Sequence, residues 1–288
     1  MGRWAISLVA VAAALAAPAS LAQVVLAPTV FVTHELRSNT IETFTVTCPP
    51  GYLAASAGVA SPAPGTTLLG IRPVGLRAYA FRFGNPVTNP DQRVAVAVAC
   101  RKVNLGRPPV TLKLRTVKLK VKVPPGKLTA AGVPCPSRTA PAGGGSDLSP
   151  SQRGQGYIPG VASQIAVRKV AMHLYGFSFS VRNNGRKAQT VVLYGTCLTV
   201  VRSAGARAGR LGIRITTFRS RAEPGHQRIM HVCPRGWFSL ATGYSLRSPV
   251  QTADGAAAIG AGGRWWVTSD GAASAMVDLQ LVCGLLRR

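Results

Sequence analysis

Acid–base or nucleophilic catalysis needs titratable groups that converge, and this chain of 288 residues is sparing with them. Its carboxylates are Glu35, Glu42, Asp91, Asp147, Glu223, Asp254, Asp270 and Asp278, and its histidines are His34, His173, His226 and His231. Glycoside hydrolysis needs two carboxylates facing one another across a cleft, and no such pair recurs along the sequence. His226 and His231 flank a short run before Cys233, as surface or turn histidines do. There is no G-x-S-x-G elbow, no H-E-x-x-H pair and no phosphate-cradling G-x-x-x-x-G-K-[ST] loop. Asp147 and Asp254 stand alone among glycines and alanines, which argues against an oxygen-rich calcium loop. The expectation is a non-enzymatic protein with no catalytic residue, metal site or cofactor.

Its cations are abundant. Lys and Arg total 34 against 8 Asp and Glu, a formal net charge of +26, while 47% hydrophobic content excludes a disordered polybasic tail. From Val117 to Val123 the pattern alternates strictly between apolar residues and lysine, which places Lys118, Lys120 and Lys122 on one face of a strand. Two residues of strand rise about 6.5–7 Å, so these ammonium groups form a ladder suited to a linear polyanion. Arg219 and Arg221 align with Lys120 and Lys122 in a later copy of the pattern, and tandem copies would extend the ladder into a longer track. Lysines on an exposed strand also discourage edge-to-edge aggregation, and the sequence leaves both roles open. Exposed aromatics do not interleave with the arginines, so a dedicated nucleic-acid platform is not expected.

The elements that must position these groups come in three copies. Cys48-Pro49-Pro50-Gly51 runs to Cys100, Cys135-Pro136 to Cys197, and Cys233-Pro234-Arg235-Gly236 to Cys283. Val94, Val191 and Val277 each stand six residues before the closing cysteine. Further back, Phe81 with Asn85, Phe179 with Asn183, and Trp266 with Asp270 pair a core aromatic with a turn residue four positions on. If the units are copies, each closes its own bridge: Cys48–Cys100, Cys135–Cys197 and Cys233–Cys283. Short alternating runs punctuated by 31 Gly and 21 Pro predict an all-β chain of three tandem small antiparallel sandwiches, one disulfide in each. The alternation before Thr116 runs in the opposite phase to that after it, which predicts a bulge or tight bend there.

The order Cys-Pro-x-Gly, a glycine region (Ala57-Gly58, Thr242-Gly243-Tyr244), an aromatic, an Asn turn, a Val-rich strand and Cys resembles a repeat of exported proteins from high-GC Gram-positive bacteria. The resemblance implies an extracellular β-module and no particular activity. Unit 2 departs from the pattern, because Ser137-Arg138 replaces x-Gly in its first turn. The cysteine spacing is also similar to that of immunoglobulin-like domains, although the tryptophan those domains carry soon after the first cysteine is absent.

Met1-Gly2-Arg3, an apolar run to Ala17 and small residues to Ala22 have the layout of a secretory signal peptide, with cleavage expected after Ala22. The predicted organisation is signal peptide 1–22, then repeats over 23–104, 105–203 and 204–288. A secreted protein, possible at the cell surface, follows from these features together with the cysteine framework. Its expected partner is an anionic cell-wall polymer or acidic polysaccharide. An alternative is a specific carbohydrate- or protein-binding module using the loops Ala60 to Thr67, Ala140 to Gly156 and Pro249 to Gly263; an extracellular hydrolase is the more distant one.

Overall fold

The computed structural model describes residues 29–102, 104–105, 110–149, 161–171, 174–183, 185–202, 210–246, 251–259, 261–269 and 274–287. The signal-peptide segment, His173, Asp270 and the stretch 150–160 lie outside the described residues. Every element among the described residues is a β-strand. Unit 1 holds β1 (Thr29–Leu36), β2 (Thr40–Thr47), β3 (Tyr52–Ser61), β4 (Thr67–Val74), β5 (Ala78–Asn85) and β6 (Gln92–Lys102). The short β7 (Asn104–Leu105) pairs with the start of the next strand. Unit 2 holds β8 (Val110–Val123), β9 (Leu128–Pro134), β10 (Ala140–Leu148), β11 (Val161–Ala171), β12 (Leu174–Asn183) and β13 (Gln189–Arg202). Unit 3 holds β14 (Arg210–Ala222), β15 (Gly225–Val232), β16 (Phe238–Leu246), β17 (Gln251–Ile259), β18 (Gly262–Ser269) and β19 (Ala275–Arg287).

Strand order repeats with the sequence. In every unit the first, sixth and third strands form one antiparallel sheet (β1-β6-β3, β8-β13-β10, β14-β19-β16). The second, fifth and fourth form the other (β2-β5-β4, β9-β12-β11, β15-β18-β17). The closing strands lie in the middle of their sheets and are covered on both faces, which is why Val94 to Ala99 and Val191 to Tyr194 read as nearly unbroken apolar runs. Disulfides Cys48–Cys100, Cys135–Cys197 and Cys233–Cys283 staple the end of the second strand to the sixth, one bridge per unit.

The opening turn survives in all three units. Tyr52, Thr139 and Trp237 donate their backbone N–H to the carbonyls of Pro49, Pro136 and Pro234. Gly51 and Gly236 sit at φ of 79° and 83°, and Arg138 adopts 62° in the same place. A left-handed non-glycine residue costs about 1–2 kcal/mol, and Arg138 is exposed, so its side chain contributes nothing to packing. Arg138→Gly is therefore expected to stabilise the protein by about 0.5–1 kcal/mol after the entropy of the added glycine is set against the relieved strain. A lowered denaturation midpoint in that variant would contradict the assignment.

Two sequence expectations are corrected here. Cys48, Cys135 and Cys233 donate their backbone N–H to the carbonyls of Arg77, Tyr175 and Ala261, which aligns the fifth strands. Four residues beyond these carbonyls stand Phe81, Phe179 and Trp265, all buried; Trp266 points to the opposite face. A one-residue slip in a strand exchanges its faces, and two adjacent tryptophans conceal such a slip in the sequence. The turn asparagines also brace the strand ends, and Asn183 Oδ1 accepts the Gly185 N–H two residues on. The Asn85 side-chain amide donates to the Leu36 and Pro90 carbonyls, and that of Asn183 to Val123 and Lys187, tying the end of the first strand to the turn before the sixth.

Second, β8 continues through Thr116, paired with Thr196, without a register shift. The change of phase reflects a change in which face is covered. Leu112 and Leu114 face the core shared with unit 3, whereas Val117, Val121 and Val123 face the core between the sheets of unit 2. Bulges occur elsewhere, and the ones that recur in every unit lie at Ala55, Ala142 and Leu240, each seven residues after its opening cysteine. The sequence suggested separate cores on a string, and the structure joins them into a ring.

β4 packs against β10, β11 against β16, and β17 against β3. The fourth strand of each unit thus meets the third strand of the next, and three head-to-tail contacts close on themselves. The three third strands, β3, β10 and β16, also touch one another at the centre. One apolar cluster there joins Leu53 and Ala55 of unit 1, Ala140, Ala142 and Leu198 of unit 2, and Phe238, Leu240 and Val282 of unit 3. Backbones approach so closely that a Cβ on Gly58 would collide with the Ala256 carbonyl of β17, and one on Gly143 with Ala55 and Ser56 of β3.

Candidate cationic surface

Register decides where the cations point. In β8, Lys118, Lys120 and Lys122 pair with Tyr194, Val192 and Thr190 of β13, so all six share the outer face of that sheet. The three lysines are exposed, while Tyr194 and Val192 beneath them are buried. Lys118 Nζ lies over the Tyr194 ring, 5.9 Å from its centre. Among the described residues, no carboxylate comes within ion-pair distance of the three ammonium groups.

The aligned arginines occupy the same strand position in unit 3 but a different electrostatic one. Arg219 pairs with Asp278 and Arg221 with Met276, the places that Val192 and Thr190 hold five and seven residues before the closing cysteine. Arg219 Nε lies 3.1 Å from Asp278 Oδ1, and Arg221 Nε lies 3.2 Å from Glu223 Oε1. Both arginines are therefore locally neutralised. In unit 1 these two positions are Thr33 and Glu35, opposite Ala95 and Arg93. Among the described residues, no strand pairing links β8 to β14.

The remaining acids are engaged mostly in internal contacts. Asp147, almost fully buried on β10, lies 3.0 Å from Arg82 Nε and 3.4 Å from Arg72 Nε of unit 1. Glu42 Oε2 lies 2.9 Å from His34 Nε2, and its other oxygen accepts from the Arg37 N–H and the Thr40 hydroxyl. Burial acts to raise the Glu42 pKa, but the Arg37 N–H, His34 and Thr40 together draw it below the ordinary carboxylate value. Asp91 Oδ1 accepts from the Ser38 N–H. A shallow cleft of about 620 Å³ gathers His34, Glu35, Glu42 and Asp91. The turn that carries the chain from β1 in one sheet to β2 in the other brings Glu42 beside His34, and Asp91, just before β6, reaches the same turn through the Ser38 N–H.

Two of the three loops proposed for recognition are largely strands. Residues 140–148 form β10 in the centre of the ring, and 251–259 form β17 against β3. In the third, the Ala60 carbonyl accepts the Trp266 indole N–H from unit 3. Gly and Ala in these stretches imitate loop composition, but here the absence of bulky side chains is what lets neighbouring backbones meet.

The buried polar groups between units left no signal in the sequence. The Tyr79 hydroxyl lies 3.0 Å from Thr196 Oγ1, which in turn lies 2.9 Å from the Ala55 and Gly143 carbonyls. Burial pushes the Tyr79 pKa upward, which keeps the phenol a donor. Arg101, 1% exposed, reaches the Ser239 carbonyl of unit 3 and covers the Phe238 ring at 5.7 Å. Burial pulls its guanidinium down to about 10. No protein-family model matches the chain, and no curated protein matches it either.

Proposed function

We propose that the chain is an exported, non-enzymatic β-repeat protein that associates with anionic polymers of the cell surface, wall or matrix. The observation that carries this reading is the ladder of Lys118, Lys120 and Lys122, exposed and without a carboxylate in reach, in a chain that leaves 34 cations to 8 acids. Three intramolecular disulfides suit an oxidising compartment. Within this reading the lysines supply the binding charge, and the rigid sheet beneath them holds their spacing.

Retention of the purified protein on an acidic polysaccharide or on isolated cell wall is expected to fall steeply as salt rises, because exposed charges are screened within about 10 Å at 0.1 M. Changing Lys118, Lys120 and Lys122 together to Glu is expected to weaken retention at low salt by at least about tenfold while the melting temperature stays close to that of the parent. Retention that ignores salt would remove this reading in favour of neutral-sugar or protein recognition. A hydrolase would instead have to work from the cleft holding Glu42 and Asp91, and release of reducing ends or phosphate from the retained polymer would support that alternative.

A further inference from the structure

The ladder does not stand alone. Across the sheet from Lys120, the next residues in the row are Val192 of β13 and Asp147 of β10, and Asp147 is held by Arg72 and Arg82 from the neighbouring unit. Strands lie about 4.8 Å apart, so Asp147 sits two strand spacings, about 10 Å, from the ladder. β4, which carries Arg72, packs beside β13 as well as β10. Arg72 remains partly exposed, its side chain at 29%. Two arginines reach one carboxylate there, and the partly exposed one is Arg72.

Among the described residues, the other two seams of the ring lack this arrangement. Counted from the aligned fifth strands, Arg72 stands opposite Ala80, and the matching residues opposite Ser178 and Arg264 are Ala166 and Ala257. Asp147 is matched by Ser245 in unit 3 and Ser61 in unit 1. The ladder positions are Arg219 and Arg221 with their carboxylates in one seam, and Thr33 and Glu35 in the other. Three copies of one contact geometry therefore carry three different charge patterns, and the unneutralised row of cations belongs to the seam between units 1 and 2.

We propose that this seam is a single two-walled binding cleft for a linear polyphosphodiester, with Lys118, Lys120 and Lys122 as one wall and Arg72 of unit 1 as the other. The proposal rests on the polyanion reading above and narrows it. A phosphodiester carries one charge per link and directs its two unbridged oxygens to opposite sides, so both walls can contact the same link. The guanidinium of Arg72 suits phosphate because its planar fork donates two parallel hydrogen bonds. Successive anions about 6.5–7 Å apart would meet successive lysines, the two-residue rise of the strand. Binding is then confined to one seam per molecule, with no avidity from the other two seams.

The test titrates a fluorescent linear oligo(glycerol phosphate) into the intact oxidised protein at low salt. Lys118→Ala/Lys120→Ala/Lys122→Ala is expected to weaken binding roughly 100-fold, and Arg72→Gln roughly five- to tenfold. Arg72→Lys should restore part of that loss, and Arg219→Gln/Arg221→Gln should stay within about twofold of the parent. Melting temperatures confirm that each variant is folded. If Arg72→Gln binds like the parent while the triple lysine variant is weakened, the second wall is wrong and the general polyanion reading survives. If the triple lysine variant binds like the parent, both fall. An equal loss in Arg219→Gln/Arg221→Gln would mean diffuse attraction to net charge and overturn the single cleft. Equal affinity for a polygalacturonate of matched length would overturn the phosphodiester assignment.

Discussion

Replacing Asp147 with alanine is expected to destabilise the folded chain by about 3–5 kcal/mol, the usual result of stripping one partner from a buried ion pair. The Asp147 side chain is 2% exposed and that of Arg82 is 4% exposed, and their 3.0 Å contact crosses from unit 2 to unit 1. Without the carboxylate, the Arg82 guanidinium would stay in a low-dielectric seam and lose its 3.0 Å ion pair. Asp147 is also accommodated by Gly70, where a Cβ would strike its carboxylate. Joint replacement of Arg82 and Asp147 by leucine is expected to cost less than Asp147→Ala alone, because it removes the desolvated charge along with its partner. Guanidinium denaturation of the three proteins checks this order. Equal midpoints for Asp147→Ala and the parent would show that the pair does not latch the units together.

Loss of a disulfide is the other large effect. Cys135 and Cys197 close a sequence separation of 62 residues, against 52 and 50 for the other bridges. On chain entropy alone each bridge stabilises by about 4 kcal/mol, and the three differ little because the dependence on loop length is logarithmic. Packing separates them. Cys48–Cys100 lies in a cluster confined to unit 1 and Cys233–Cys283 in one confined to unit 3, whereas Cys135–Cys197 lies in the cluster where all three units meet. Cys135→Ala/Cys197→Ala is therefore expected to lower the melting temperature most, in one cooperative transition that takes units 1 and 3 with it. A two-step melt in which units 1 and 3 keep their parental transition would contradict a shared core. Peptide mapping without reductant verifies the pairing in the parent.

Much of the architecture was legible because it rests on local pattern. Alternation marked the strands, the cysteine phrases marked the units, and copying implied that each unit closes its own bridge. The lysine ladder was equally readable, because strict alternation from Val117 to Val123 leaves only one face for the lysines. The alignment of Arg219 and Arg221 with Lys120 and Lys122 also holds in the strand register. What alignment does not report is the neighbour across the strand: Asp278 faces Arg219, while Val192 faces Lys120. One pair is quenched and the other is not, although the sequence wrote them alike.

The errors share one origin. Trp266 in place of Trp265, a bulge at Thr116 and a loop running from Ala140 to Gly156 each assumed that a unit buries only what lies between its own two sheets. In the ring, the outer faces are buried too. Leu112 and Leu114 then need no bulge, Trp266 has a neighbouring carbonyl to bind, and Ala142-Gly143-Gly144-Gly145 becomes a strand at the point where three backbones converge. Period and composition report the environment a residue requires, not which surface supplies it.

By itself, then, the amino-acid sequence determined the strand content, the threefold repetition, the bridge in each unit and the row of lysines, since these depend on neighbours along the chain. Tertiary structure alone decided that the units close into a ring, that Asp147 joins Arg72 to Arg82 across a seam, and that one basic row keeps its charge. Contacts between residues far apart in sequence arise only when three backbones are brought together in space, and that approach is permitted where glycine and alanine stand in place of bulkier residues.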